Sequence, residues 1–417
     1  MSTTQNNKTV WLINKHAAPL KHYATHQRTV YIAKYLMQYE YNVYIIGSGF
    51  IHNRNINLNK GGGNLIFNIV DGINFVHIKT LPYKKNGIKR VLSFFEFSIK
   101  LFVYRRKITK PNFIIHTSNI PFDGFIYFTA RRLHAKYIIE VLDLWPESLA
   151  AYGILNRRNP LLSIFYKIEK FLYKNADNIV FSMEGGIDYI IDKKWDSNIC
   201  GNIDLSKIRY INNGVDLDSF DRNCLNHIVS DPDINNPYTF KVIYMGSIRL
   251  VNGIQQLIDA AFILKKHTNI KFIIYGDGDD RNKTEEFCVK NNMTNVIFKN
   301  KWIDPKFVPY VLSSCSLNIL NYLPNGVDKY GGSQNKLFQA IASSKPICCN
   351  LGMGYSIINK FNLGIDKKFS DANDYAKSIL FFAKMDKQNY SDLCMRVREV
   401  ASIFDYKELV KKYIELL

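Results

Sequence analysis

"FKVIYMGSIRLVNGIQQLIDAAFILKKHTNIKFIIYGDG", residues 240–278, decides the fold. A run of β-branched and aromatic residues breaks at Gly246-Ser247, gives way to a helical pattern, and returns as a second apolar run before Gly276-Asp277-Gly278. Short apolar runs bounded by glycine-rich turns read as strands buried on both faces, and the segment between them is long enough for a crossover helix. Strand, helix and strand in that order predict a parallel sheet with helices on its faces.

Working outward, the alternation continues. Downstream strands are expected at 295–300, 317–320 and 346–350. Upstream, TVWLIN (9–14), NVYIIGS (42–48), INFVHIKT (73–80), NFIIHTS (112–118), KYIIEVLD (136–143) and NIVFSM (178–183) form an equivalent series, with helical patterns at 28–39, 88–107, 122–134 and 159–174. The fold class is therefore α/β, with two Rossmann-like domains. The expected boundaries are 1–220 for the first domain, a polar linker DRNCLNHIVSDPDINNPYT (221–239), and 240–390 for the second. C-terminal helices over 391–417 are expected to return to the first domain, and the last of them, YKELVKKYIELL (406–417), has an apolar stripe that must pack. In such folds ligands bind beyond the carboxyl ends of the strands, so the cleft between the halves is the expected site.

Bulk properties narrow the partners. A formal charge of +19 calls for nucleic acid, anionic lipid or a phosphorylated ligand. The charge is locally dense: from Lys84 to Lys110 there are nine basic residues against one acid, Glu96, interleaved with Phe94, Phe95, Phe97, Phe102 and Tyr104. On a helix that mixture suits an anionic membrane interface, and the alternative is a solvated helix whose aromatics face the core. No apolar run reaches the roughly 18–20 residues that span a bilayer, and the N-terminus has no signal-peptide pattern, so a cytoplasmic protein is expected. Seven cysteines with no C-x-x-C pair predict neither disulfides nor zinc.

Three turns of the second half fall at strand ends: Gly246-Ser247 with Arg249 and Asn252-Gly253; Gly276-Asp277-Gly278; and the long loop that ends in GGSQNKLFQAIASSKPI (331–347). The last places Gly332, Ser333, Gln334 and Asn335 before a helix that carries Lys336 in its first turn. A helix N-terminus with a cation beside it is an anion cradle, whereas the plain alternative is a helix capped by Ser333. Together the turns suggest a diphosphate held by Arg249, Lys336 and the helix N-terminus, with Gly276 and Gly278 letting backbone approach a flat ligand. Asp-x-Asp occurs at Asp216/Asp218, Asp231/Asp233 and Asp277/Asp279, scattered enough that no metal is expected. In the first half the loop from Asn14 to Arg28, Thr117-Ser118-Asn119, Asp143 and Glu184 lie at strand ends and are expected to face the same cleft, which makes Arg28, Ser118, Asn119 and Glu184 the acceptor-binding candidates; Asp143 either positions an acceptor or caps the turn through Trp145-Pro146.

These pieces, with WLINKHAAP, HQRTVYIAKYL, EVLDLWPESL (140–149), KIEKFLYKNADNIVFSMEGGIDYI (167–190) and YINNGVDLDSF (210–220), give a resemblance over about 400 residues. The chain resembles the retaining GT-B glycosyltransferases of family four, and most of all the bacterial branch that builds capsule, O-antigen and exopolysaccharide. The resemblance implies a nucleotide-sugar donor, by family habit UDP-linked with an N-acetylated sugar as a further expectation, and a lipid-linked saccharide acceptor at the inner face of the cytoplasmic membrane. No cofactor is implied. Arg249 and Lys336 match the donor diphosphate ligands. The Gly276–Gly278 backbone matches the loop against the base, and Gln339 stands where a ribose-binding glutamate is usual. Gly331 replaces the first glutamate of that pair and Asn252 a common lysine. Arg28 matches an N-terminal-motif arginine, or simply begins a helix. Two other readings stay open: a sugar-nucleotide epimerase of the same architecture, and a basic nucleic-acid-binding protein, which would explain the charge but not the diphosphate edge.

Overall fold

The computed structural model describes residues 8–20, 27–51, 56–59, 61–83, 87–199 and 201–417. The chain divides into two compact units, Met1–Asn212 with Tyr406–Leu417, and Asn213–Asp405.

The first unit is built on eight strands: β1 (Thr9–Ile13), β2 (Asn42–Ser48), β3 (Leu65–Val70), β4 (Ile73–Ile78), β5 (Phe113–Thr117), β6 (Lys136–Val141), β7 (Asn178–Phe181) and β8 (Ile208–Tyr210). Their order is β8-β7-β6-β5-β1-β2-β4-β3, all parallel except the β3/β4 hairpin at the edge. The hairpin was not anticipated. Its strand β3 is largely exposed, so it lacks the unbroken apolar run that marks a doubly covered strand. The order in which successive strands are added reverses between β1 and β5, which makes the ends of those two parallel strands the topological switch point.

Five helices position its site: α1 (Gln27–Gln38), α2 (Ile88–Tyr104), α3 (Gly124–Leu133), α4 (Glu147–Ala151) and α5 (Pro160–Asn175). Helix α1 buries Val30, Ile32, Ala33, Tyr35 and Leu36 against the sheet, as the spacing of its apolar residues requires.

The second unit has six parallel strands: β9 (Phe240–Met245), β10 (Ile270–Tyr275), β11 (Val296–Phe298), β12 (Leu317–Leu320), β13 (Ile347–Cys349) and β14 (Gly364–Asp366). They are ordered β11-β10-β9-β12-β13-β14, with the switch point between β9 and β12.

The boundaries differ from those expected. Residues 221–239 are no linker. They follow on from α6 (Leu217–Asn226), whose Asp216 cap accepts from the Ser219 N–H at 2.8 Å, and they include the short helix Pro232–Asn235 capped by Asp231. Ile234 of that helix is buried with Ile243 and Ile273, and Lys241 donates to the Ile234 and Asn236 carbonyls at 2.9 and 3.0 Å. The polar residues that read as linker are caps and capping cations. Residues 391–405 also stay in the second unit, because Val397 and Ala401 of α9 (Lys387–Ala401) are buried in one cluster with Phe338 and Phe404. Only the final helix, α10 (Tyr406–Ile414), belongs to the first unit, where Tyr406, Leu409, Val410 and Tyr413 join the core with Val30 and Leu36. Cys348 and Cys349 are buried core residues, and the described cysteines are free thiols. No described helix is long and apolar enough to cross a membrane.

Candidate active site

In the second unit the loop after β9 runs through Gly246 and Ser247 to α7 (Ile254–Ile263), and the loop after β12 leads to α8 (Asn335–Ala342). The two loops flank the switch point. Gln334 is the N-cap residue of α8, yet no side chain caps that helix. Ser333 is occupied elsewhere: its hydroxyl accepts from the Asn213 N–H at 2.7 Å, while the Asn213 amide donates to the Ser333 carbonyl and to Asn335 Oδ1. The plain reading of Ser333 as a cap is thereby replaced. Asn213 holds the loop, the Leu337 N–H donates to the Gln334 carbonyl at 3.0 Å, and the Asn335 and Lys336 N–H groups at the start of α8 have no side-chain cap among the described residues.

Lys336 rises from that first turn. Its ammonium has no hydrogen-bond or ion-pair partner among the described residues, and it lies 5.3 Å from the Tyr244 ring centroid and 5.9 Å from that of Tyr322. Burial lowers its pKa from the ordinary 10.5 to about 8. Gly246 makes this position possible, because a Cβ there would stand 2.0 Å from Lys336 Nζ. A cation held among apolar rings with no counter-charge is destabilised unless an anion joins it. Arg249, on the neighbouring loop, is exposed and likewise has no side-chain hydrogen bond or ion pair among the described residues.

The glycines of the β10 turn have a different reason from the one expected. A Cβ on Gly276 would meet the Gly246 carbonyl at 1.8 Å, and one on Gly278 the Ile248 carbonyl at 2.2 Å; both residues have positive φ. The Ile248 N–H donates to the Asp277 carbonyl and the Asp280 N–H to the Ile248 carbonyl, so the two turns are zipped backbone to backbone. The close approach that demands glycine is to the adjacent loop rather than to a ligand. Asp277 is exposed, 3.7 Å from Lys301.

Ser247 Oγ donates to Asn252 Oδ1 at 2.8 Å, and Asn321 donates to the Asn252 and Gly253 carbonyls, so Asn252 is a buried loop brace. A Cβ on Gly332 would meet Gln334 Nε2 and Met353 Sδ, both at 2.7 Å, and Gln334 Oε1 is buried with no partner among the described residues. Gln339, one turn beyond Lys336, lines with it a cavity of ≈ 30 Å³ beside Met245, Asn318 and Leu320. The Asp216 and Asp231 carboxylates are helix caps, and Asp231 and Asp233 also pair with Lys299. Among the described residues no group of three or more His, Cys, Asp or Glu side chains is placed to hold a metal ion.

In the first unit Arg28 does not face a ligand, contrary to the acceptor-binding expectation. It is 3% exposed, and its guanidinium donates to Glu140 Oε1 at 2.9 Å, to the Ile211 and Asn212 carbonyls and to Tyr413 Oη. Burial alone would raise the Glu140 pKa; Arg28 and hydrogen bonds from Tyr413 and Thr117 hold it below the usual value instead. Arg28 is thus a pin joining α1, β6, the chain beyond β8, and α10. Ser118 Oγ and the Asn119 N–H both donate to the buried carboxylate of Asp123, at 3.0 and 2.6 Å, which shapes the turn after β5. Glu184 is half-buried near Tyr210, whose pKa it helps burial to raise.

Of these acceptor candidates, Asn119 and Asp143 line a cavity of ≈ 920 Å³ in the first unit, together with Lys15, His16, Ser48 and Arg90; Arg28, Ser118 and Glu184 do not. Asp143 is open to the cavity but densely surrounded by protein, and that loss of water raises its pKa. Lys15, Tyr244 and Tyr322 were not singled out from sequence. Lys15 sits in WLINKHAAP, one residue past a buried strand, where a cation could have attracted notice. Of the basic stretch, Lys84 and Lys85 lie outside the described residues, as do residues 21–26 of the Asn14–Arg28 loop. Phe94 and Phe97 of α2 are buried, and Phe95 is 40% exposed.

Comparisons with known proteins agree with this architecture. Residues 239–384 match the family model for glycosyl transferases group 1. By sequence alone no curated protein matches the chain. Among solved structures, a glycosyltransferase from Rickettsia africae ESF-5 is similar over 99% of this chain and 98% of its own (TM-score 0.64, 15% identity). WaaG, a glycosyltransferase involved in lipopolysaccharide biosynthesis, is similar over 98% of this chain and 99% of its own (TM-score 0.67, 13% identity). Anabaena Alr3699/HepE, solved in complex with UDP and glucose, covers 98% and 99% (TM-score 0.64, 12% identity). The match to the glycosyl transferase group 1 model is thus confined to residues 239–384, and the chain as a whole has the GT-B fold of two Rossmann-like units.

Proposed function

We propose that the protein transfers a sugar from a UDP-linked donor, bound in the second unit, to a lipid-linked saccharide acceptor bound in the first, with retention of configuration, in bacterial surface polysaccharide synthesis. One observation carries the reading: Lys336, a half-buried cation without a counter-ion, stands at the uncapped N-terminus of α8 beside the switch point. A diphosphate there would satisfy the lysine and the first-turn N–H groups together. Arg249 would add a second cation from the adjacent loop. UDP is supported by Alr3699/HepE, solved with UDP and glucose, and the pathway by WaaG, named for lipopolysaccharide biosynthesis.

In this reading the bond between the anomeric carbon and the diphosphate oxygen breaks as charge develops on the diphosphate. Lys336, Arg249 and the α8 N–H groups stabilise that charge, which supplies the role a divalent metal plays elsewhere. The acceptor hydroxyl forms the new bond on the same face, and its proton passes to the departing phosphate. Gln339 is placed to meet the ribose, where its amide can donate or accept. The exposed residues of α2, with Lys89, Arg105, Arg106 and Lys107, would hold the enzyme at the cytoplasmic membrane face.

A thermal-shift screen with UDP-sugars, N-acetylated ones included, tests the donor site, because a ligand of the native state raises the melting temperature by mass action. Lys336→Ala and Arg249→Ala should each lower transfer about a hundredfold or more. Near-normal turnover in both would sink the assignment, and an isomerised UDP-sugar formed without acceptor would favour an epimerase.

A further inference from the structure

We infer that the 920 Å³ cavity of the first unit binds a lipid phosphate: the phosphate of the acceptor lipid on Lys15, beside Arg90, and its hydrocarbon chain between α2 and α5. This rests on the lipid-linked acceptor proposed above, and assigns it a site.

The polar groups of the cavity come from strand ends. Lys15 and His16 follow β1, Ser48 ends β2, Asn119 follows β5 and Asp143 follows β6, so the floor is the carboxyl edge of the sheet at its switch point. The turn that presents Lys15 is fixed on both sides: Asn14 donates to Thr29 Oγ1 and accepts from the His16 N–H, and the Lys15 carbonyl accepts from the Ser48 N–H. Lys15 is 3% exposed, yet its ammonium has no hydrogen-bond or ion-pair partner among the described residues. It lies 3.8 Å from the Phe94 ring centroid and 5.2 Å from that of Tyr83. The carboxylate that acts on it, Glu96, pairs with Lys100 and accepts from the Leu81 N–H instead of touching Lys15; a buried ammonium with no anion in contact is costly, and Arg90 on the same wall adds to the positive potential.

The walls have the opposite character. Val91, Phe95, Phe122, Trp145, Leu161 and Phe165 are among the residues that form them, and few polar groups besides those of the floor intervene. A free sugar would leave such walls unused and its own hydroxyls unpaired. The size is also at the upper end of the roughly 300–1,000 Å³ of small-molecule sites. The apolar wall moreover continues outward: Val91, Phe95 and Leu161 line the cavity and are 42%, 40% and 45% exposed, next in sequence to Ile88 and Leu92 on α2 and Ile164 on α5 at 78%, 48% and 51%. An apolar path therefore leads from the exposed faces of α2 and α5 to the buried cation, as a lipid with an ionic head requires.

The test uses the full-length protein with three probes: farnesyl diphosphate, inorganic diphosphate and farnesol, in the presence of saturating UDP so that the second unit does not compete. Binding is read by fluorescence of Trp145 and by calorimetry. Farnesyl diphosphate should bind at least tenfold more tightly than either part alone. Lys15→Met should abolish that preference while farnesol binding persists, and Leu161→Asp, at the rim and away from the lysine, should reduce farnesyl diphosphate to the level of inorganic diphosphate. Equal affinities for the three probes in wild type, or an unchanged preference in both variants, overturns the inference. Displacement of farnesyl diphosphate by phosphatidylglycerol vesicles would make the cavity a general membrane anchor, and would also overturn it. Thermal shifts with UDP-sugars in the same preparations separate the outcomes: their absence refutes the donor reading, their presence without farnesyl diphosphate binding refutes the acceptor site alone.

Discussion

Replacing Lys336 by methionine should move stability and activity in opposite directions. Methionine keeps the stem that packs against Tyr244 and Tyr322 and removes the charge. The charge is unfavourable in the ligand-free fold: burial lowers the lysine's pKa from 10.5 to about 8. At about 1.4 kcal/mol per pKa unit, and with a discount for the side chain's partial exposure, this amounts to about 2–3 kcal/mol at neutral pH. Lys336→Met should recover most of it and raise the melting temperature of the second unit by roughly 4–12 °C. The sign can be checked by pH. Because the native pKa lies below the unfolded one, the unfolded chain binds the extra proton between pH 8 and 10.5, so wild-type stability should rise across that interval and the variant should lack the rise. Transfer should fall about a hundredfold or more, and the UDP-induced thermal shift should shrink. Calorimetric melts with and without UDP at several pH values measure the stability, its pH dependence and the UDP shift, and a transfer assay measures turnover. A variant that is less stable than wild type yet turns over normally refutes the reasoning, since the lysine would then be a structural cation with a hidden partner.

Gly246→Ala should reproduce much of the loss of donor binding without touching the lysine's chemistry, because the new Cβ would lie 2.0 Å from Lys336 Nζ and displace it; UDP calorimetry and a melt show whether binding alone is lost. Donor affinity in wild type should weaken as pH rises through 8 by up to about tenfold per unit, as Lys336 loses its proton, with proton uptake on UDP binding near pH 8; a flat profile from pH 7 to 9.5 would exclude the charged lysine as a ligand. Arg28→Met should destabilise the first unit by about 3–5 kcal/mol by leaving Glu140 buried without its cation, and Arg28→Met with Glu140→Gln should restore part of that in urea denaturation. If Arg28→Met instead left stability unchanged and weakened acceptor binding, the pin would be a ligand after all.

The sequence by itself determined the architecture at the level of element types. Apolar runs such as TVWLI and FKVIYM are periodic signals that a strand carries within itself, and their alternation with helical patterns already dictates two parallel, doubly wound sheets. It also pointed to the loops that flank the switch point of the second sheet, because glycines and cations at strand ends are local features. It misread what those residues touch. Gly276 and Gly278 read as an opening for a ligand, whereas they admit the neighbouring turn. Arg28 read as a cleft residue, whereas its partner Glu140 lies 112 residues away and Tyr413 lies 385 away. The polar stretch 221–239 read as a linker because a capping aspartate and a loop aspartate look alike until the helix it caps is seen to bury Ile234. Periodicity is written over a few neighbouring residues, while burial and pairing of charge join residues from distant parts of the chain. That is why Lys15 and Lys336 could be read as lysines from the sequence, but only the tertiary structure left each of them among aromatic rings with no ion-pair partner among the described residues.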